Sequence, residues 1–295
     1  MSWQRTLVIA AALVTVSGLA LAQLDDVEIK TVAVSDGVWM LEGRGGNIGV
    51  SAGEDGVVLI DDQFAPLTDK IRAAVKSIVD QPIRFVLNTH WHSDHTGGNE
   101  KLGDAGAVIV AHDNVRKQMS VEHLWQDRTI PAAPSGALPV VTFIQSVTFH
   151  LNGEEIHAIH VPTAHTDGDS MVHFPKANVL HMGDVFFNGM YPFIDTSTGG
   201  SVDGVIAAVD EALKIVDGET KIIAGHGPLS DREELLTYRD VLSSIRNAVA
   251  PLVEAGKSLE EIQAAKPTSE FDAVWGGGFI NPEQFVEIVY QSLTR

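Results

Sequence analysis

Asn88-Thr89-His90-Trp91-His92-Ser93-Asp94-His95-Thr96-Gly97-Gly98-Asn99 places three histidines and an aspartate within six positions. The stretch follows Ile83-Arg84-Phe85-Val86-Leu87, an apolar run that reads as a buried strand. Imidazole nitrogens and a carboxylate oxygen are the donors that Zn²⁺ and similar borderline cations take. A loop leaving a strand can fan such neighbours around one or two ions, which a regular helix or strand cannot. The plain alternative is a polar surface loop that happens to be rich in histidine. Further pieces downstream speak against it: His165 in Thr163-Ala164-His165-Thr166-Asp167-Gly168-Asp169, Asp184 in Met182-Gly183-Asp184, and His226 in Gly225-His226-Gly227.

Taken in order, the HxHxDH run from His90 to His95, then a lone histidine, an aspartate and a final histidine, the chain resembles the metallo-β-lactamase superfamily from roughly residue 30 to 245. The resemblance implies a four-layer αββα sandwich, an α/β (α+β) fold in which two mixed sheets are flanked by helices. It implies His90, His92 and His165 on one metal, Asp94, His95 and His226 on a second, and Asp184 between them. Many true β-lactamases of that superfamily carry a cysteine near the position of Asp184, and this chain has none. Asp184 instead resembles the bridging carboxylate of thioester hydrolases and lactonases. A β-lactam is therefore expected as a promiscuous substrate rather than the native one.

The chemistry can be argued from the donors themselves. Two divalent ions roughly 3.5–4 Å apart can share one water, and a single Zn²⁺ already lowers a water pKa to about 7. The hydroxide so formed would attack a carbonyl or phosphoryl centre while the second metal polarises the oxygen that gains charge. No protein nucleophile is required. Asp94 lies among the ligands of both metals and is the expected general base or water-orienting group as well as a ligand. Five imidazoles, two carboxylates and no thiolate suit two Zn²⁺ first, with Fe or Mn as alternatives. A dinuclear metallohydrolase opening an ester, lactone, thioester or amide is the expected function. A mononuclear iron enzyme acting on a persulfide and a non-catalytic periplasmic metal-binding protein are the rivals.

Metal-bound imidazoles are usually held from behind through their other ring nitrogen. Asp61, which ends the strand Gly56-Val57-Val58-Leu59-Ile60 and resembles the superfamily's buried aspartate below the site, and Asp169, four residues past His165, are the candidates. Trp91, Trp125, Phe186, Phe187, Tyr191 and Phe193 lie in or near the metal-bearing loops and are expected to wall a pocket for a small-molecule substrate, although each alone also reads as packing. His123 is a further candidate for that pocket. The other six histidines, His112, His150, His157, His160, His173 and His181, read as structural. No basic cluster sits near the ligands to clamp a phosphate, which favours a neutral substrate.

The formal charge is −19 at pH 7. Such a surface repels nucleic acid and anionic membranes, so neither is an expected partner. Residues 1–22 carry Arg5, an apolar run and a small-residue ending at Ala20-Leu21-Ala22, the pattern of a cleaved bacterial signal peptide. The mature chain is then expected in the periplasm or beyond, where a lack of cysteine means neither disulfides nor a stray thiol. Residues 23–295 read as one catalytic domain with a C-terminal helical extension from about 251. Strands are expected near 27–33, 37–42, 46–52, 56–61, 83–87 and 107–111, then near 145–151, 154–161, 171–175, 178–182 and 220–224. Helices are expected over 67–80, from 113, over 202–216 and 230–255, with N-caps at Ser258 and Asn281. Between them, a stretch with Pro131, Pro134 and Pro139 reads as irregular and too long for an idle connector.

Overall fold

The computed structural model describes residues 24–125 and 128–295, so the expected leader lies outside them. β1 (Lys30–Ser35), β2 (Val38–Glu42), β3 (Ile48–Gly53) and β4 (Gly56–Ile60) form an antiparallel meander. β5 (Ile83–Leu87), β6 (Val108–His112) and, after the hairpin of β7 (His123–Trp125) and β8 (Arg128–Ile130), β9 (Val141–Phe143) continue the sheet in parallel. The order is β1-β2-β3-β4-β5-β6-β9. The second sheet repeats this plan. β10 (Ser146–Leu151), β11 (Glu154–His160), β12 (Ser170–Phe174) and β13 (Val179–His181) run antiparallel, and β14 (Lys221–Ile223) joins β13 in parallel.

Alternation along the central strands explains the layering. In β4, Val58 and Ile60 point into the core between the sheets, whereas Val57 and Leu59 pack outward under α1 (Thr68–Ile78). β14 does the same, with Ile223 inward and Ile222 outward. Strands buried on both faces are continuously apolar because each face has its own partner layer. The short helices α2 (Ser93–Thr96), α3 (Asn99–Asp104) and α4 (Asp113–Met119) lie on the first half. α5 (Val202–Ile215), α6 (Arg232–Glu254), α7 (Leu259–Ala264), α8 (Asp272–Trp275) and α9 (Pro282–Leu293) cover the second. The result is the αββα sandwich.

The expected break near 251 falls inside α6. Leu235, Tyr238, Leu242, Ile245 and Val249 recur along α6 at helical spacing, and they share one core with α5, α9 and the outer face of the second sheet. The terminal helices thus complete a layer instead of extending a finished domain. Both expected N-caps form, and each closes a capping box, Ser258 with Glu261 and Asn281 with Gln284. The proline-containing stretch is more ordered than its composition implies. It holds the β7–β8 hairpin, a 3₁₀ turn at Ser135–Ala137 and the edge strand β9. Among the described residues no helix is long and apolar enough to cross a membrane.

The two sheets are joined at the end where the parallel strands terminate. Asn47, buried between β2 and β3, donates from Nδ2 to the carbonyls of Ala224 (2.9 Å) and Gly227 (2.8 Å), and its backbone N–H reaches Gly225 O at 2.7 Å. Replacing Asn47 by alanine strands two buried carbonyls at a cost of about 2 kcal/mol. The melting temperature of Asn47→Ala is therefore expected to fall by about 4–8 °C. Thermal denaturation showing no change would remove this stitch from the account.

Candidate metal centre

The loop after β5 is held by the strand end beside it. Asp61 takes a left-handed backbone (φ 67°), a strained conformation that aspartate tolerates better than most residues. Its carboxylate accepts from Thr89 N (2.7 Å) and Thr89 Oγ1 (2.8 Å) and meets His95 Nδ1 at 2.8 Å. Asp62 accepts from Gly98 N, and Asn88 Nδ2 donates to His95 O. Backbone and side chains together fix the direction in which the run from His90 to His95 opens.

Seven side chains then converge. His90, His92, His165 and Asp184 form one group, and Asp94, His95 and His226 a second, each with donor atoms within 4.8 Å of one another. Asp184 divides its two oxygens between them. Oδ2 lies 3.8 Å from His90 Nε2 and 3.6 Å from His165 Nε2, whereas Oδ1 lies 3.1 Å from His95 Nε2 and 3.4 Å from His226 Nε2. Asp94 Oδ2 completes the second group at 3.3 Å from His226 Nε2 and 3.7 Å from His95 Nε2. His92 turns Nδ1 toward His165 Nε2 at 2.9 Å.

These separations fit cations. Nitrogen and oxygen donors about 2.0–2.2 Å from a tetrahedral ion stand about 3.3–3.6 Å apart. His90 Nε2 is buried and lacks a hydrogen-bond partner, and His95 Nε2 and Asp184 Oδ1, buried and 3.1 Å apart, are not aligned as a hydrogen bond. Left so, each costs about 1–3 kcal/mol, which a shared cation would offset. The backbone makes room as well. A Cβ on Gly46 would stand 2.1 Å from His95 Cε1, and one on Gly225 would stand 2.1 Å from Asp184 Oδ1. Only glycine allows both approaches.

Electrostatics sort the donors in the metal-free protein. Burial, reinforced by the neighbouring His95, keeps His90 well below the ordinary imidazole range, and burial holds His165 at about 4, so both are neutral donors. Burial would also depress His226 and His95, but Asp184 and Asp94 overrule it, holding His226 at about 9 and His95 well above its usual value. The reverse holds for the acids. Burial opposes ionisation of Asp184 and Asp94, yet the imidazoles around them hold Asp184 well below the carboxylate range and Asp94 at about 2. Among the described residues neither carboxylate has a lysine or arginine partner, so the positive charge facing them comes from His95 and His226, or from a cation that replaces their protons.

Four of the five imidazoles are held from behind. His95 rests on Asp61, His165 Nδ1 on Phe193 O (2.8 Å) and His90 Nδ1 on Thr89 Oγ1 (3.0 Å). His92 Nε2 meets Asp195 Oδ2 at 3.2 Å, a partner the sequence did not single out. Its only signal is Asp195-Thr196-Ser197-Thr198, in which the carboxylate also caps the next turn through Ser197 N and Thr198 N. Asp169 differs from the expectation. Its carboxylate accepts from Thr166 N and Thr166 Oγ1, so it shapes the loop carrying His165, and the ring its carbonyl meets is that of His160, which is not among the donors. Burial raises it to about 8.

The aromatic candidates separate. Phe187 stacks on His226 at 5.1 Å, and Trp91 stacks on His123 at 4.2 Å beside His92. Phe186 and Tyr191 are core residues instead of pocket walls. Phe186 packs on Tyr238, while Tyr191 stacks on Phe285 and donates its hydroxyl to Asp272 Oδ1. Both face α6–α9, whose layer draws large apolar side chains away from the site. Trp125 ends β7. The structural reading of His181 agrees with its place, fully buried and bonded to Asn47 O and Gly183 N.

Residues 41–227 match the family model of the metallo-beta-lactamase superfamily. The chain belongs to that superfamily. Among solved structures it is similar to a metallo-beta-lactamase from Pontibacter korlensis, with a TM-score of 0.62 and 19% identity over 73% of this chain and 99% of that one. It is also similar to a variant of the sec-alkyl sulfatase PisA1, with a TM-score of 0.68 and 18% identity over 92% of this chain and 51% of that one. Identities this low speak of fold alone. Among curated proteins, it is 24% identical over 139 residues to the alpha subunit of 2,4-dinitroanisole O-demethylase from Nocardioides sp. (strain JS1661). It is 30% identical over 106 residues to hydroxyacylglutathione hydrolase from Erythrobacter litoralis. These matches cover 46% and 36% of this chain and 40% and 35% of the two relatives.

Two substitutions test the centre. Asp195→Asn keeps the oxygen that caps the turn but removes the charge behind His92, and metal affinity is expected to fall about 10–100-fold in competition with a chelator. Gly225→Ala forces Asp184 Oδ1 to move, so elemental analysis should find less bound metal than in the parent. Unchanged affinity in the first or full loading in the second would refute the corresponding contact.

Proposed function

We propose that this protein is a dinuclear metallohydrolase that opens an acyl bond, an ester, lactone, thioester or amide, with zinc as its cation. We further propose that it works outside the cytoplasm once residues 1–22 are removed. The observation that carries the reading is the partition of Asp184, whose two oxygens address two separate groups of donors. A mononuclear centre at the first group would leave Asp94, His95 and His226 without a task. Two cations held there supply Lewis acidity and lower the pKa of bound water.

The chain's own groups do the rest. His90, His92 and His165 serve one cation and Asp94, His95 and His226 the other, with Asp184 serving both. Asp94 is the acid at the mouth, about a quarter exposed where Asp184 is buried, and its Oδ2 can orient water and take up a proton. Phe187 covers one face of His226 and limits water there. The relatives' names, a hydroxyacylglutathione hydrolase and metallo-beta-lactamases among them, support hydrolysis without naming the substrate.

Purified protein is expected to carry stoichiometric zinc and to hydrolyse at least one member of a panel comprising a cephalosporin, a lactone and a thioester. Chelation should abolish that activity, and added zinc should restore it. Asp94→Asn should lower kcat about 10²–10⁴-fold. A fully metallated protein inert toward the whole panel would overturn the proposal.

A further inference from the structure

A cavity of about 300 Å³ opens against His92 on the side away from the other metal donors. That is the lower end of the ~300–1,000 Å³ typical of small-molecule sites. One wall is the stacked pair Trp91 and His123, with Ile130 from the β7–β8 hairpin. The opposite wall is α9, through Ile280 just before it and Ile288 within it. Phe193 joins the cavity to the metal centre, its ring 5.8 Å from both His92 and His165.

The polar part of the lining is as informative as the apolar part. Among the described residues it includes the carboxylates of Asp195 and Glu287 and the amides of Gln284 and Gln291, with no lysine or arginine. Asp195 is committed to His92 and its turn. Glu287 is half-buried and receives a bond from Gln291 Nε2. An anionic group would meet two carboxylates and, among the described lining residues, only neutral donors.

We infer that this cavity holds the non-reacting part of the substrate, and that this part is an aliphatic chain that is neutral or cationic, not an anionic group such as the carboxylates of a glutathione conjugate. The inference rests on the cluster being the hydrolytic centre. It assigns the C-terminal helix a share in substrate choice. A chain lying along Trp91 and Ile288 passes the edge of the His92 ring, one imidazole away from the metal donors.

Binding and turnover test it separately. In calorimetry with the zinc-loaded protein, octanoate and 8-aminooctanoate, which share a carboxylate for the metals and differ at the end that enters the cavity, are expected to bind at least tenfold more tightly than octanedioate. Glu287→Lys, on a half-exposed helix face, should reverse the order of 8-aminooctanoate and octanedioate, which non-specific attraction to an acidic surface would not do. In turnover, kcat/KM for p-nitrophenyl esters should rise about fourfold per methylene from the two-carbon acyl chain until the cavity is filled. If no ester, lactone or thioester is hydrolysed but the preference for 8-aminooctanoate appears and reverses in Glu287→Lys, the hydrolase reading falls and the binding site stands. If esters are hydrolysed with no dependence on chain length, or octanedioate binds as well as 8-aminooctanoate, the cavity assignment is overturned.

Discussion

The buried carboxylate of Asp184 sets the terms for everything around it. An ionised carboxylate removed from water must be paired, hydrogen-bonded or bound to metal, because its desolvation cost is otherwise prohibitive. Here imidazoles surround it on both sides and no permanent cation does. The fold therefore has to bring four loops to one point with sub-ångström economy. Glycines at 46 and 225 remove the side chains that would stand in the way, and Asn47 holds the loop of the first sheet against that of the second. The left-handed turn at Asp61 fits the same picture. Its strain is tolerated because three hydrogen-bonding contacts converge on its carboxylate.

Much of this was legible in the sequence because the relevant signals are local or strongly patterned. Apolar runs such as Val57-Val58-Leu59-Ile60 and Ile83–Leu87 mark strands buried on both faces, and histidine crowding after such a strand marks donors. Asp61 could be picked out because, at the end of its strand, it resembles the superfamily's buried aspartate below the site. What escaped depends on distance along the chain. Asp195 lies 103 residues from His92, and its local pattern reads as an ordinary capped turn. Phe186 and Tyr191 sit next to metal-bearing segments in sequence, yet the helical layer behind the second sheet claims them. Nearness in sequence did not mean facing the same side. Short strands such as β7, β8 and β9 carry too few residues for periodicity to show, and three prolines nearby mask them.

The C-terminal helices have two roles that meet at α9. One face of that helix, through Phe285, Val286 and Val289, belongs to the large core over the second sheet. The adjoining face, through Gln284, Glu287 and Ile288, borders the cavity beside His92. A helix anchored this firmly makes a rigid wall, because its position is fixed by packing that does not depend on what the cavity contains. Specificity placed on such an element can vary by surface substitution without disturbing the donors, since Glu287 and His92 touch the cavity from opposite sides.

The donors are also divided along the chain. His90, His92, Asp94 and His95 come from the first half, and His165, Asp184 and His226 from the second. Neither half owns all the donors of either group, so a cation held at the proposed centre would act as a clasp across the seam of the sandwich. Its binding free energy is also free energy of association between the halves, scaling with the logarithm of free metal over its dissociation constant. Biosynthesis inherits an order from this arrangement: the two donor groups are complete only once residue 226 has been made and docked, so metallation of the proposed centre would mark the completion of folding.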